Sequence, residues 1–264
     1  MSAPARHFSR AAQTYDRGAG LHRHVAARLV EMMPDNEGGV PSRILEVGCG
    51  TGVLTDEVRR RYPESVLCVL DVAEGMIACV RERWGADPRM EFVTGDVRSY
   101  VPRQPVALIV SSSALHWALP LDRTLSMLGR CLTPAGELCM ALMLDGTLGE
   151  LHSIRRQVAP GKIPPGHLPT RSEVLSAVRV AGLTVSALES ESIHSHYHSA
   201  DDCLRTLHAQ GLTGGAVSRA PLPLSRTELC RLRELYDASC RDARGGVYAS
   251  FEILYLRACR SASQ

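Results

Sequence analysis

The sequence predicts an α/β fold built on a doubly wound, mostly parallel sheet of seven strands. Five short apolar runs alternate with segments of helical periodicity between residues 43 and 144, and a glycine-rich turn follows the first run. Two longer runs of alternating polarity come later, with no helix between them of the length that a simple crossover needs. We therefore expect these two runs to close the sheet as an antiparallel pair.

The predicted elements of the core alternate regularly. A helical arm at 7–33 and a linker rich in Gly, Pro and Asp precede them, so residues 1–42 stand apart from the α/β core at 43–144. Each apolar run has the length of a buried strand. The predicted strands are 44–47, 66–70, 90–94, 106–111, 137–144, 183–194 and 248–258, and the predicted core helices are 53–61, 74–84 and 121–131.

The third part of the chain, residues 145–264, combines the closing strands with two insertions. The insertions, 145–168 and 198–246, surround the last strands, and segments 202–210 and 226–241 carry apolar residues at helical spacing. Ligands of open α/β sheets bind beyond the carboxyl ends of the strands. We therefore expect the insertions to form a lid that shapes a substrate pocket.

Charge and composition exclude several classes of protein. The chain has 30 basic and 28 acidic residues, a net charge of +2, and no RNA-binding motif, so we expect no nucleic-acid partner. It has no stretch of eighteen apolar residues and no apolar signal-peptide core in its first ten, so we expect a soluble, cytoplasmic protein without a membrane partner. The nine cysteines are odd in number and include no C-x-x-C pair, which predicts reduced thiols and no metal site.

The most informative segment joins the first strand to a glycine turn. Gly48, Gly50 and Gly52 let the backbone turn sharply and approach a ligand. Their spacing, G-x-G-x-G, differs from the G-x-G-x-x-G of dinucleotide-binding folds, in which a helix N-terminus receives a pyrophosphate. Glu46 precedes the turn, and a carboxylate there suits a cation better than a diphosphate. These features favour S-adenosylmethionine, which carries a sulfonium and an ammonium group.

Two aspartates follow the next two predicted strands. Asp71 closes the second strand about twenty positions after the glycine turn, where an acidic residue usually binds the hydroxyl groups of a ribose. Asp96 follows the third strand and could accept a hydrogen bond from an adenine amino group. We therefore expect both residues to bind the nucleoside half of the cofactor.

These three motifs together resemble the class I S-adenosylmethionine-dependent methyltransferases. The likeness lies in E-V-G-C-G-T-G at 46–52, in V-L-D-V at 69–72 with Met76 five residues after the aspartate, and in G-D-V at 95–97. The resemblance implies a Rossmann-like fold and S-adenosylmethionine as the cofactor. The cofactor-binding residues that we predict on this basis are Glu46, Gly48, Gly50, Asp71, Val72, Met76, Asp96, Val97 and Ser112.

The segment after the fourth strand carries the substrate signal. Its sequence, S-S-S-A-L-H-W at 111–117, resembles the S-N-x-x-x-Q-W of methyltransferases that esterify small carboxylates, with Ser112 at the Asn position and His116 at the Gln position. A carboxylate is ionised at neutral pH, so the reaction needs alignment rather than a general base. His116 could supply a hydrogen bond and Trp117 a wall for that alignment, or both could be structural core residues.

Three further segments resemble one family, the malonyl-acyl-carrier-protein O-methyltransferases. They are F-S-R-A-A-Q-T-Y at 8–15, similar to the family's F-x-R-A-A-x-x-Y, then G-T-L-G-E-L-H at 146–152 and L-R-T-L-H-A-Q-G at 204–211. The resemblance implies that the arm caps the cofactor and that Tyr15 joins His116 and Trp117 in catalysis. It also implies methylation of the malonyl carboxylate on acyl carrier protein, or on coenzyme A, in biotin synthesis.

Two alternative functions and several arginines remain candidates. A methyltransferase of another small carboxylate, of the trans-aconitate type, would share the cofactor motifs, as would a non-catalytic partner protein that binds the cofactor. His22 and His116 stand where the resemblance leads us to expect glutamine. The candidates for holding the malonyl carboxylate are Arg10, Arg155 and Arg156, and those for docking the acidic carrier are Arg205, Arg241 and Arg244.

Overall fold

The computed structural model describes residues 20–35, 39–164, 166–210, 222–243 and 245–260. The strands are β1 (Arg43–Val47), β2 (Val66–Asp71), β3 (Met90–Thr94), β4 (Val106–Ser112), β5 (Leu132–Met143), β6 (Leu183–Tyr197) and β7 (Val247–Arg260). The helices of these residues are α1 (Gly20–Met32), α2 (Val53–Arg61), α3 (Glu74–Trp84), α4 (Leu121–Cys131), α5 (Gly149–Val158), α6 (Arg171–Val180), α7 (Ala200–Ala209) and α8 (Arg226–Ser239), and a 3-10 turn covers Leu115–Trp117.

The strands form one seven-stranded sheet in the order β3-β2-β1-β4-β5-β7-β6. β1 pairs in parallel with β2 and β4, β2 pairs with β3, and β4 pairs with β5 in the same sense. The closing strands run antiparallel, because one hydrogen bond joins Ser186 of β6 to Arg257 of β7 and another joins Thr184 of β6 to Cys259 of β7. The predicted fold class is confirmed.

The strands nearest the glycine turn are the most buried. β1 and β4 lie in the middle of the parallel part of the sheet, and Ile44, Leu45, Leu108, Ile109 and Val110 are fully buried. Strands that are covered on both faces appear as continuous apolar runs, which is why β1 to β4 lie within one residue of their predicted bounds. The helices α2, α3 and α4 begin and end as predicted.

The fifth strand begins earlier than the predicted residue 137, at Leu132. Pro134 and Gly136 interrupt its apolar pattern and resemble a turn. The pairing with β4 shifts from Val106↔Leu132 to Leu108↔Glu137, so a bulge absorbs the extra residues while the strand continues. The closing strands are also longer than predicted, since β6 reaches Tyr197 and β7 spans Val247–Arg260.

The helix α6, which precedes β6, was absent from the sequence prediction. It begins with a capping box in which the Thr170 hydroxyl accepts from the Glu173 amide and the Glu173 carboxylate accepts from the Thr170 amide. Its buried residues are Val174, Ala177 and Val178, and the helix packs against α4. The pattern T-x-x-E before an apolar run is a helix start signal that identifies this helix in the sequence.

The described residues fall into two compact units. One contains β1 to β4, most of β5, α1 to α4, α6 and parts of the closing strands, and the other contains segments 143–169 and 191–253. In the second unit, α5 packs against α8. Within the described ranges, no helix is long and apolar enough to cross a membrane, and no group of side chains is suited to hold a metal ion.

Candidate cofactor and substrate site

The glycine turn after β1 keeps its backbone in the left-handed region. The φ angle is +73° at Gly48, +53° at Gly50 and +95° at Gly52, values that side chains with a Cβ adopt only with strain. The amides of Gly48 and Cys49 both donate to the Leu70 carbonyl of β2, at 2.7 and 3.3 Å. The turn is thereby fixed at the carboxyl ends of β1 and β2, where ligands of such sheets bind.

Two glycines of this turn differ in what surrounds them. A Cβ atom at Gly48 would overlap the Cβ of Ala114, so the segment after β4 packs directly against the turn. A Cβ atom at Gly50 would meet no atom within 4 Å. Gly48 is therefore needed for packing, whereas the backbone at Gly50 is open to the approach of a ligand.

Glu46 is the buried acid of this site. It is fully buried, and the Thr55 hydroxyl donates to its Oε2 at 2.8 Å. Its Oε1 has no hydrogen-bond partner among the described residues. Burial raises the pKa of Glu46 to about 8; the bond from Thr55 opposes this, and the negative charges of Asp56 and Asp71 add to it. A carboxylate buried in this way fits a cationic hydrogen-bond donor such as an ammonium group.

Asp71 connects the glycine turn to the start of α3. Its Oδ2 accepts from the Gly50 amide at 3.0 Å, and its Oδ1 accepts from the Ala73 amide at 2.8 Å. Burial raises its pKa, and these amide bonds act against that shift. The residue therefore holds the turn in shape in addition to its predicted ribose contact. Burial also raises the pKa of the adjacent Cys49 thiol well above its usual value, so Cys49 is a protonated filler and not a nucleophile.

Asp96, the predicted adenine ligand, forms an ion pair with Arg98. Hydrogen bonds from the Arg98 side chain lower the pKa of Asp96, so its carboxylate stays ionised. Val97 is buried beside it, and Met76 of α3 is buried near Ala73. Asp96 and Val97 come shortly after β3, and Met76 lies in the first turn of α3, which follows β2. Their contacts with the cofactor stay predictions.

The segment after β4 begins with three serines in different settings. The Ser111 hydroxyl donates to the Val47 carbonyl at 2.9 Å, and the Ser113 amide donates to the Ala141 carbonyl at 2.9 Å. Ser112, a predicted cofactor ligand, is half-buried at the end of β4. Ser113 was not predicted, yet its φ is +54° and its hydroxyl oxygen is buried without a hydrogen-bond partner in the described part of the chain. Backbone strain of this kind is frequent at functional sites and leaves no signal in a run of serines.

His116 lies in the 3-10 turn and is buried, with its ring centroid 5.1 Å from that of Trp117. Burial lowers its pKa to about 3, and the nearby His22 contributes to the shift. His22 of α1 is also buried, which lowers its pKa to about 4. Both imidazoles are therefore neutral at physiological pH. Trp117 is half-buried beside them, and the catalytic roles of His116 and Trp117 stay predictions.

The predicted arginines have these surroundings. Arg155 Nε donates to the Lys162 carbonyl at 3.1 Å, and Arg156 is exposed. Arg205 pairs with Asp201 of the same helix at 3.1 Å, and Arg241 Nε donates to the Asp237 carbonyl at 3.2 Å. Residues 10, 15 and 244, which include the predicted catalytic Tyr15, lie outside the described ranges.

The G-T-L-G-E-L-H motif at 146–152 has a structural explanation. The Thr147 hydroxyl accepts from the Glu252 amide at 3.0 Å, and the Glu150 carboxylate accepts from the amide and the hydroxyl of Ser250. The motif therefore attaches the start of α5 to β7 within the second unit. The hydrogen bonds that Thr147 and Glu150 make to Ser250 and Glu252 therefore explain both residues by their structural role alone.

Residues 44–136 match the family model of a methyltransferase domain. The malonyl-acyl-carrier-protein O-methyltransferase of Methylococcus capsulatus is 33% identical over 249 residues, which are 94% of this chain and 89% of that protein. The chain belongs to the malonyl-acyl-carrier-protein O-methyltransferase family. The predicted family and its methyltransferase activity are confirmed.

The chain is also similar to two further proteins. The biotin biosynthesis bifunctional protein BioHC of Teredinibacter turnerae is 30% identical, over 96% of this chain and 45% of that protein. The structure of the N-methyltransferase NodS from Bradyrhizobium japonicum, in complex with S-adenosyl-L-homocysteine, matches with a TM-score of 0.53 and 15% identity, over 95% of this chain and 98% of that one. At that identity the match confirms the fold.

S-adenosylmethionine is the cofactor of this methyltransferase, and the residues of the chain fit it. The buried Glu46 oxygen offers an acceptor to an ammonium group, Gly50 gives access to the backbone, and Asp71 and Asp96 bring carboxylates to the ends of the next two strands.

Proposed function

We propose that the enzyme methylates the free carboxylate of a malonyl group carried as a thioester on acyl carrier protein, and that the methyl ester serves biotin synthesis. The similarity to malonyl-acyl-carrier-protein O-methyltransferases over most of the chain carries this proposal. Esterification removes a charge that would be costly to bury in the apolar pockets of chain-elongating enzymes. We place the reaction in the cytoplasm.

The cofactor is held by residues from four strand ends. Glu46 would accept from the ammonium group, and the backbone of Gly48 and Gly50 would line the site. Asp71 receives the ribose hydroxyls with an oxygen already oriented by the Gly50 amide. The remaining contacts come from Val72, Met76, Asp96, Val97 and Ser112 around the adenine and the methionine part.

The bound cofactor supplies a methyl group on a positively charged sulfur, which is electrophilic without help from an acid. The protein's task is to bring an ionised carboxylate into line and to exclude water. His116 serves as a neutral hydrogen-bonding group in this arrangement, because its lowered pKa keeps it uncharged. Trp117 would form a wall beside it, Ser113 would add a hydroxyl group, and the sequence resemblance assigns Tyr15 a role in the same step.

A neutral partner has an advantage for this chemistry. The carboxylate loses its charge during methyl transfer, so a strong ion pair would stabilise the ground state more than the transition state and slow the reaction. A hydrogen bond from an uncharged imidazole holds the oxygen with less of this cost. An arginine that grips the malonyl group should therefore pair with it only loosely, and Arg155 and Arg156 are the candidates within the described residues.

The test is transfer of a labelled methyl group from S-adenosylmethionine to malonyl-acyl carrier protein, with malonyl coenzyme A, trans-aconitate and a reaction without acceptor as parallel samples. We expect label in a base-labile ester of the malonyl thioester. Label on trans-aconitate alone would replace the proposal with a small-acid methyltransferase, and cofactor binding without any transfer would show a non-catalytic protein.

A further inference from the structure

The carboxylate of Asp96 is surrounded by nitrogen atoms of one residue, Arg98. Arg98 Nε lies 3.0 Å from Oδ1 and 3.1 Å from Oδ2, and Nη2 lies 2.5 Å from Oδ2. The Arg98 amide also donates to Oδ1, at 2.9 Å. The remaining nitrogen, Nη1, donates to the Leu119 carbonyl at 3.4 Å, so the guanidinium also connects the end of β3 to the segment that follows the 3-10 turn.

These contacts determine how much of the Asp96 carboxylate is left for a ligand. An ionised carboxylate offers about four acceptor positions. Three N–H groups of Arg98 take up three of them: the amide donates to Oδ1, Nη2 donates to Oδ2, and the single Nε hydrogen is shared between the two oxygens. They fix the carboxylate plane in the manner of a bidentate guanidinium pair. One acceptor position remains, and its direction is set by Arg98.

We propose that Arg98 is a positioning residue for adenine recognition, which orients the Asp96 carboxylate so that its remaining acceptor position receives the adenine amino group. The inference rests on the proposed adenine contact of Asp96, and it assigns the geometry of that contact to Arg98. A surface ion pair with a purely structural role would contribute little to stability and nothing to base selectivity.

The test compares two ligands that differ at the adenine amino group. S-adenosylhomocysteine carries this group, and S-inosylhomocysteine has an oxo group in its place. Their dissociation constants are measured by calorimetry for the wild type, Arg98→Ala, Arg98→Lys and the control Arg89→Ala. Arg89 is a matched control, because it pairs with Glu64 at 3.0 Å and its side chain is 46% exposed, against 51% for Arg98.

We expect the wild type to prefer S-adenosylhomocysteine. Arg98→Ala should bind it about tenfold more weakly while its affinity for S-inosylhomocysteine stays unchanged, so the preference falls. Arg98→Lys should fall between the two, because an ammonium group cannot hold both carboxylate oxygens at once. Arg89→Ala should keep the wild-type preference, and thermal unfolding should show that every variant folds.

Three results would overturn the inference: an unchanged preference in Arg98→Ala, an equal loss for both ligands, or tighter binding of S-adenosylhomocysteine. The last result would mean that Arg98 shields Asp96 from the base. Methyl transfer to malonyl-acyl carrier protein is measured separately on the wild type. A protein that shows the predicted base preference but does not methylate this acceptor would disprove the proposed function and leave the role of Arg98 supported.

Discussion

The glycine turn and the segment after β4 touch at Gly48 and Ala114, yet their buried ionisable groups behave in opposite ways. In the turn, burial raises the pKa of Glu46 to about 8. In the segment after β4, burial lowers the pKa of His116 to about 3. Burial likewise lowers the pKa of the nearby His22 to about 4. The Glu46 carboxyl group and both imidazoles are therefore largely uncharged near pH 7 before a ligand binds.

The two regions differ in what a ligand does to them. A cation brought next to Glu46 restores its negative charge, because an opposite charge favours the ionised form. In the proposed reaction the methyl acceptor is an anion, and a neutral His116 would hold it without the ground-state cost of an ion pair. In our proposal, the glycine turn forms a charge pair with the cofactor, and the segment after β4 avoids one with the substrate.

The largest expected effect is that of Glu46→Gln. Removing one partner of a buried charge pair typically costs about 3 to 5 kcal/mol. We therefore expect affinity for S-adenosylmethionine to fall by roughly 100- to 4,000-fold at about pH 8, without a fall in the melting temperature. The measurement is calorimetry, and Glu57→Gln, whose carboxylate pairs with Arg60 on the surface of α2, is the control. Equal affinity in Glu46→Gln and wild type would remove Glu46 from the site.

Asp71→Ala should have the next largest effect, and it should affect both binding and stability. The amides of Gly50 and Ala73 lose their acceptor, and each lost bond of this kind costs about 1 to 3 kcal/mol when the donor stays buried. We expect weaker cofactor binding by at least about tenfold together with a lower melting temperature. Asp71→Asn keeps one acceptor oxygen and should retain part of the stability. Unchanged cofactor affinity in Asp71→Ala would contradict the ribose assignment.

The pair Gly48→Ala and Gly50→Ala separates packing from ligand access. Gly48→Ala should lower the melting temperature strongly, because its Cβ overlaps Ala114 and both regions must shift. Gly50→Ala meets no neighbouring atom and should cost only about 1 to 2 kcal/mol of stability from its positive φ, while it weakens cofactor binding. Thermal unfolding and calorimetry on both variants provide the measurement. The interpretation fails if Gly50→Ala binds the cofactor as the wild type does.

The glycine turn was predictable because its shape depends on backbone conformations that only certain residue types adopt easily. Gly48, Gly50 and Gly52 need positive φ, and Glu46 and Asp71 stand at fixed distances from them along the chain. These are local properties, which a sequence displays directly. The parallel strands β1 to β4 were predictable for a similar reason, since burial on both faces makes them continuous apolar runs.

The segment after β4 was less predictable because its properties arise from packing. Nothing in S-S-S-A-L-H-W shows that His116 is buried near His22, or that Ser113 has a left-handed backbone. The ion pair between Asp96 and Arg98 likewise depends on the direction of two side chains. The helix α6 was missed for a different reason, since its capping box at Thr170 and Glu173 was present in the sequence.

His116→Gln should have the smallest effect at neutral pH and a clear effect in acid. The folded protein keeps His116 neutral, whereas the unfolded chain binds a proton below about pH 6.5, so the free energy of unfolding falls as the pH drops from about 6.5 towards 3. At pH 5 this loss amounts to about 2 kcal/mol for one such histidine. His116→Gln should unfold at a similar temperature at pH 8 and should lose less stability between pH 8 and pH 5. If His116→Gln and the wild type lose the same stability between pH 8 and pH 5, the His116 side chain is exposed to solvent in the folded protein.

The most direct test of the difference between the two regions is the number of protons released when S-adenosylmethionine binds. Calorimetry in buffers of different ionisation enthalpy gives this number for the wild type and Glu46→Gln at several pH values. Because the pKa of Glu46 is about 8 before binding, the wild type should release close to one proton at about pH 7 and fewer as the pH rises above 8, and the variant should release none. Equal proton release by the two proteins would show that Glu46 does not form the charge pair with the cofactor.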